Sequence, residues 1–197
     1  MRKIMIILLY LGYYLLVYNP LYALLPQEEF TYDNAVVIGS IIFTSINFLV
    51  CLLFVFKLKV KFGKISFKVI LLSLLLFVCL LAIGILFALI MQADITYNVS
   101  SNVFLLLIFC LLIGYSEELF FRAIPYHLPL ANTWVKMTPA LILFALAHSG
   151  DGLFTVVNAF VLGVLFTFFY LRFKNVHIVA LAHSLYNFSI FSSALLI

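Results

Sequence analysis

The chain has 197 residues, of which 67% are hydrophobic and only 9% are charged, and its mean hydropathy is +1.29. This composition excludes a soluble globular domain, because continuous apolar runs of about 18 residues or more are typical of transmembrane helices. A membrane β-barrel would show alternation in place of continuous runs, so the predicted fold is an all-α, polytopic membrane helix bundle. The formal charge of +4 does not indicate a nucleic-acid partner, since the basic residues follow the membrane topology.

Seven apolar segments divide the chain and predict seven helices in one integral membrane domain, residues 1–197. The first is longer than the apolar core of a signal peptide and no clear cleavage site follows it, so it is predicted to be a retained helix. The fifth covers roughly 18 Å and is a half-length helix, since the hydrocarbon core is about 30 Å thick. In chain order the segments are 4–25, 35–56, 69–91, 103–128, 138–149, 153–173 and 177–196.

Three kinds of residue inside these segments carry structural expectations. Pro125 in the fourth segment is expected to kink or end its helix. Cys51, Cys79 and Cys110 belong to neither a CxxC pair nor a Cys/His cluster, so they are predicted to be buried small hydrophobic residues. A lone embedded amide such as Asn47 is typical of an interhelical hydrogen bond.

The charged residues sort by side when the seven segments are counted as crossings. Every lysine and arginine lies at or toward one side, including the basic loop from Lys57 to Lys68, while Asp33 and Asp94 lie in loops on the other side. The positive-inside rule then predicts a cytoplasmic N-terminus and an outside C-terminus. The basic loop is interpreted as a topology determinant with attraction to anionic membrane lipid.

Six polar residues in the membrane segments are not explained by topology. A charged side chain at the bilayer centre costs about 2.5–3.5 kcal/mol on insertion scales, and such residues usually face a bundle interior and mark function. The six are Glu117, Glu118, Arg122, His148, His183 and Asn187.

The spacing of these residues predicts which of them share a helix face. Glu118 and Arg122 are four residues apart and are expected to pair and so to hold the fourth helix in place. Glu117 is rotated by about 100° from Glu118 and is therefore less committed to that pair. His183 and Asn187 share a face of the seventh helix. Measured along their helices, the groups reach similar depths, so we expect them to meet in one cavity near mid-membrane.

This set of residues suits hydrolysis of an amide by an activated water molecule. Glu117 beside His148 can deprotonate a water for attack on a carbonyl carbon. His183 and Asn187 can donate hydrogen bonds to the developing oxyanion. No cofactor is required by this interpretation. A catalytic zinc ion held by Glu117, His148 and His183 is the alternative, although the sequence contains no HExxH motif.

Three short motifs resemble a known family of membrane proteases. EELFFR (117–122) fits EExxxR, FALAH (144–148) fits FxxxH, and HSLYN (183–187) fits HxxxN, in the order and at separations found in the CPBP or Abi family. That family includes CAAX-type prenyl-protein endopeptidases and bacteriocin-processing or immunity proteins. The resemblance covers about Gly114 to Asn187, and the motif-bearing catalytic core is expected over about 103–197.

The resemblance implies a role for each matched residue. Glu117 and His148 would activate the water, His183 and Asn187 would form the oxyanion site, and the pair of Glu118 with Arg122 would be supporting. The implied activity is a glutamate-dependent intramembrane endopeptidase. The richness in Phe, Ile, Leu, Tyr and Asn suggests a low-GC bacterium, so the expected substrate is a membrane-associated peptide or membrane protein in bacteriocin processing, immunity or signalling.

Two other classes of function compete with the protease. A non-catalytic membrane regulator or immunity protein would act by binding a partner, and it would keep its cellular phenotype in variants that lack Glu117 or His148. A small transporter would use the embedded Glu and His side chains to relay protons, and it would show proton-coupled flux in liposomes.

Overall fold

The computed structural model describes residues 2–15, 31–91, 98–99, 101–130 and 132–193, and seven α-helices lie within them. Each predicted segment matches one helix, although parts of the first and last segments fall outside the described residues. The helices are α1 (Arg2–Tyr13), α2 (Asn34–Leu58), α3 (Phe67–Met91), α4 (Val103–His127), α5 (Thr133–Ala147), α6 (Leu153–Phe173) and α7 (Val176–Ser193), and two paired two-residue strands, β1 (Thr31–Tyr32) and β2 (Asn98–Val99), accompany them.

Four of these helices, α2, α3, α4 and α6, are long and apolar enough to cross a membrane. Helices α1, α5 and α7 are apolar but shorter. Many large apolar side chains point outward, such as Leu53 at 69% exposure and Leu89 at 72%, which is the surface that lipid covers. The predicted all-α, multi-pass membrane helix bundle is confirmed.

Helix α5 begins earlier than its apolar segment. The Asn132 side chain caps it by accepting the N–H of Trp134 at 2.8 Å, as asparagine commonly does at a helix N-terminus. Pro139 lies inside the helix and does not start it. With fifteen residues the helix is about 22 Å long, so the expectation of a short helix holds.

Pro125 does not end α4, which continues to His127. The turn before it, Leu119–Ala123, is a π-helical turn in which the Ile124 N–H donates to the Leu119 carbonyl. In an α-helix the ring of Pro125 would clash with the carbonyl four residues earlier. The wider π turn relieves this crowding, and such single turns inside α-helices are frequent at functional sites.

Helix α4 lies at the centre of the bundle. It packs against α2 and α7, α7 packs against α3 as well, and α5 and α6 form an antiparallel pair. Cys51 on α2 is buried with its Sγ 3.7 Å from the Ser116 carbonyl of α4. Cys110 is also buried, whereas Cys79 is only half-buried. Asn47 accepts a hydrogen bond from the Tyr13 hydroxyl of α1, which confirms its interhelical role.

Three connections that carry basic residues meet at one end of the bundle. The Asn175 side chain, in the α6–α7 turn, donates to the carbonyl of Lys64 in the α2–α3 loop at 3.1 Å. Lys136 Nζ donates to the carbonyl of Tyr126, near the end of α4, at 2.9 Å. We call this the basic end, defined by the α2–α3 loop, the last turn of α4, the first turn of α5 and the α6–α7 turn.

The crossing of α4 and α7 predicts the effect of adding one methyl group. A Cβ on Gly114 would lie 2.9 Å from the Ser184 nitrogen and 3.0 Å from the Ala180 carbonyl oxygen. We expect Gly114→Ala to lower the free energy of unfolding by about 1–3 kcal/mol, because backbone atoms cannot give way as a flexible side chain can. The measurement is the thermal unfolding midpoint in detergent micelles.

Gly39→Ala on α2 is the matched control, since a Cβ there meets nothing within 4 Å. It should leave the midpoint unchanged or raise it, because alanine favours helix by about 1 kcal/mol over glycine. Equal unfolding midpoints for the two variants would contradict the close approach of α4 and α7 at Gly114.

Candidate active site

The two glutamates and the arginine of α4 are removed from solvent. Glu117 is 3% exposed, and Glu118 and Arg122 are both 0% exposed. Glu117 and Glu118 end the regular α-helical part of α4, and Arg122 belongs to the π turn that follows. Burial of full charges is costly unless each is paired, so the partners of these side chains decide what the site can do.

Glu118 joins two helices through one oxygen atom. Its Oε1 accepts a hydrogen bond from Arg122 Nη1 at 2.9 Å, which is the pair that the spacing predicted. The same Oε1 accepts from His183 Nδ1 of α7 at 2.8 Å. This second contact was not expected from the sequence. One buried carboxylate oxygen thus accepts from both a guanidinium and an imidazole.

The Arg122 guanidinium lies between two phenylalanine rings. Its carbon Cζ is 4.1 Å from the ring centroid of Phe144 on α5 and 5.1 Å from that of Phe166 on α6. Desolvated cation–π contacts of this kind contribute about 2 kcal/mol each. Arg122 therefore connects α4 to both helices of the α5–α6 pair.

His183 is held in one orientation by its surroundings. Because a carboxylate can only accept, the Nδ1 atom that faces Glu118 carries a proton. Its ring stacks on Phe166 with the centroids 4.8 Å apart. The other ring nitrogen, Nε2, lies 3.7 Å from Glu117 Oε2. The hydrogen bond at Nδ1 thus sets which nitrogen faces Glu117, as a hydrogen bond at one ring nitrogen of a histidine commonly does.

His148 follows the last residue of α5 and is half-buried. Its Nδ1 hydrogen-bonds the Phe144 carbonyl at 2.9 Å, and since a carbonyl only accepts, Nε2 is the atom with the lone pair. The Phe144 ring is close to both imidazoles, with centroids 5.0 Å from His148 and 6.1 Å from His183. The two histidines therefore border the same aromatic side chain.

Asn187 lies one helical turn after His183 and is half-buried, so it shares the helix face that carries His183. The structure thus brings Glu117, Glu118, Arg122 and His183 into direct contact and connects His148 to them through Phe144. Whether each residue performs its expected role stays a prediction. No set of three or more His, Cys, Asp or Glu side chains among the described residues is arranged to hold a metal ion.

Sequence reasoning missed Phe166 and the π turn. Phe166 contacts both Arg122 and His183, but it is one of 22 phenylalanines and no motif distinguishes it. The π turn carries a partial signal, because Pro125 excludes a regular α-helical turn before it.

Comparison with known proteins bears on the same region. Residues 99–189, a little under half of the chain, match the sequence model of the Rce1-like family, described as type II CAAX prenyl endopeptidase Rce1-like. A search of curated proteins and a search of solved structures each found no match. The matched segment contains all six singled-out polar residues and leaves out α1, α2 and α3.

This match agrees with the resemblance drawn from the three motifs, since all three motifs lie within the matched segment. The family is one of membrane endopeptidases, and the match supports that class of activity for this protein.

Because the Glu118–Arg122 pair is buried, removal of Arg122 is predicted to destabilise the protein far more than removal of an exposed arginine. Arg122→Met should lower the free energy of unfolding by about 3–5 kcal/mol, because it removes the guanidinium from a fully buried carboxylate. Circular dichroism melting in detergent, or the temperature at which the protein loses its monodisperse elution peak, measures this change.

Arg172→Met is the control, since Arg172 also lies over a phenylalanine ring, Phe173, at 5.4 Å but is exposed at the basic end. An exposed pair of this kind contributes about 0.5–1 kcal/mol. If Arg122→Met and Arg172→Met unfolded at the same temperature, the result would contradict a buried ion pair between Arg122 and Glu118.

Proposed function

We propose that this protein is an intramembrane endopeptidase of the glutamate type, in which Glu117 activates a water molecule for attack on a peptide carbonyl. The observation that supports it is the 3.7 Å separation between Glu117 Oε2 and His183 Nε2, with His183 fixed by Glu118 behind it. A water beside the line joining these two atoms can hydrogen-bond both at ordinary distances of about 2.8 Å. All of these groups belong to the segment that matches the endopeptidase family.

The proposed reaction has two proton transfers. Glu117 takes a proton from the water as its oxygen bonds to the carbonyl carbon, which forms a tetrahedral intermediate. The same proton then passes to the amine nitrogen as the carbon–nitrogen bond breaks. His148 assists Glu117 in these transfers. The water supplies the oxygen of the new carboxyl group, so no other reactant is needed.

His183 and Asn187 are proposed to stabilise the oxyanion of that intermediate. Asn187 donates from its amide, and His183 donates from Nε2 when both ring nitrogens carry protons. Glu118 accepts from Nδ1 and so stabilises the imidazolium that this role requires, as a buried carboxylate does for a catalytic histidine in serine proteases. Glu118 and Arg122 are supporting residues in this scheme.

The substrate is proposed to be a peptide that reaches the site from the membrane. Glu117 lies roughly 15 Å along α4 from His127 at the basic end, so the scissile bond must enter the bundle. The positive-inside rule places the basic end, and the N-terminus, in the cytoplasm and the C-terminus outside. The amino-acid composition suggests a low-GC bacterium and so favours a membrane-associated peptide, whereas the matched family is described as a prenyl endopeptidase, which favours a prenylated C-terminus. Both kinds of substrate are to be assayed.

Glu117→Gln should abolish cleavage and leave the fold intact. The amide keeps the size and shape of the side chain but cannot accept the proton, and loss of a general base costs about 10²–10⁴ in rate. Purified protein in liposomes is assayed with internally quenched peptides, with and without a farnesyl group, and mass spectrometry identifies the products.

A chelator arm separates the two mechanisms. Unchanged cleavage after chelation supports water activation by the carboxylate, and cleavage that is lost and then restored by zinc supports the metal-dependent alternative. Full activity of Glu117→Gln would refute the proposal and favour the partner-binding alternative.

The two histidines of α7 provide a second, matched test. His183→Gln should lower kcat by about 10²–10³, the usual effect of removing an oxyanion donor, with little change in KM. His177→Gln should keep wild-type kcat, because the His177 ring hydrogen-bonds the Tyr115 hydroxyl at 2.9 Å and packs near Phe62, outside the polar cluster. Equal kcat values for both variants would show that His183 has no catalytic part.

A further inference from the structure

The π turn of α4 changes the pairing of a buried backbone carbonyl. In an α-helix the Phe120 carbonyl would accept from the Ile124 N–H, but here that N–H donates to Leu119. If the π pattern continued, the Phe120 carbonyl would accept from the N–H of residue 125, but Pro125 has no N–H. The hydrogen-bonding of the Phe120 carbonyl therefore involves a group from outside α4.

Tyr10 of α1 supplies that group. Its hydroxyl donates to the Phe120 carbonyl at 3.0 Å, and the Tyr10 side chain is 3% exposed. Its ring also stacks on the ring of Phe120, with centroids 4.7 Å apart and planes 25° from parallel. A buried carbonyl that loses its partner is strongly destabilised, so this hydroxyl favours the π turn over a regular turn.

Tyr14, directly after α1, makes a similar hydrogen bond to α5. Its hydroxyl donates to the carbonyl of Leu143 on α5 at 2.8 Å, one residue before Phe144. Its ring is edge-on to Phe121 in the π turn, with centroids 6.1 Å apart. Residues in and directly after α1 thus contact the backbone of two of the three helices that carry or adjoin the proposed active-site residues, α4 and α5.

We propose that Tyr10 is a positioning residue for catalysis, which rests on the proposed function. Glu118 directly precedes the π turn and Arg122 lies within it. Loss of the hydroxyl would favour a shift of that turn, and a shift would move the π turn and the last turn of α4, which pack against α5, relative to Glu117. The Tyr10 hydroxyl opposes this shift and so keeps α5, which directly precedes His148, in place relative to Glu117.

Tyr10→Phe is the first test, because it removes the hydroxyl and keeps the ring stack. We expect kcat to fall by about 10- to 100-fold, as small misplacements of catalytic groups do, with KM unchanged. Tyr13→Phe is the matched control, since Tyr13 is on the same helix but donates to Asn47 of α2. It should retain wild-type kcat. An unchanged kcat in Tyr10→Phe overturns the proposal.

Hydrogen exchange separates this inference from the proposed function. Amides of residues 119–127 should exchange at least about tenfold faster in Tyr10→Phe than in Tyr13→Phe, since a tenfold change follows from about 1.4 kcal/mol and a lost buried hydrogen bond costs this much. If wild-type cleavage does not depend on Glu117, the proposed function fails while this comparison still decides the role of Tyr10. Equal exchange rates overturn it whatever the activity.

Discussion

One carboxylate oxygen, Glu118 Oε1, is the contact on which the arrangement of the site depends. It accepts from Arg122 on its own helix and from His183 on α7, so it fixes an imidazole relative to α4. Neither donor is exposed enough to find water as a substitute, and breaking a buried pair is far more costly than breaking a surface one. The proposed chemistry at Glu117 therefore uses a geometry that its neighbour maintains.

Aromatic side chains make this buried charge tolerable. Phe144 and Phe166 enclose the guanidinium, and Phe166 also stacks on the imidazole. An aliphatic wall would offer the guanidinium no such contact, whereas the negative faces of these rings attract it. The phenylalanine of the FxxxH motif thus contributes to electrostatics as well as to packing, and both proposed catalytic histidines border its ring.

Much of the fold could be predicted, because hydropathy and length directly determine membrane helices. The predicted sixth segment matches Leu153–Phe173 residue for residue, and the Glu118–Arg122 contact follows from the period of the helix. Periodicity defines which residues share a face but not which faces meet. The contact of His183 with Glu118, and the stacking of Phe166, depend on tertiary packing and could not be derived from spacing. The π turn was not predicted for a related reason, since arguments from i,i+4 spacing assume a regular α-helix.

The short length of α5 has a consequence for the lipid around the protein. At about 22 Å it falls short of a hydrocarbon layer about 30 Å thick, so acyl chains near His148 must shorten, or polar headgroups must descend, to meet its end. Such hydrophobic mismatch costs fractions of a kcal/mol per ångström and draws water toward the mid-plane. A hydrolytic site inside a bilayer needs a route for its second reactant, and a helix too short for its surroundings provides one.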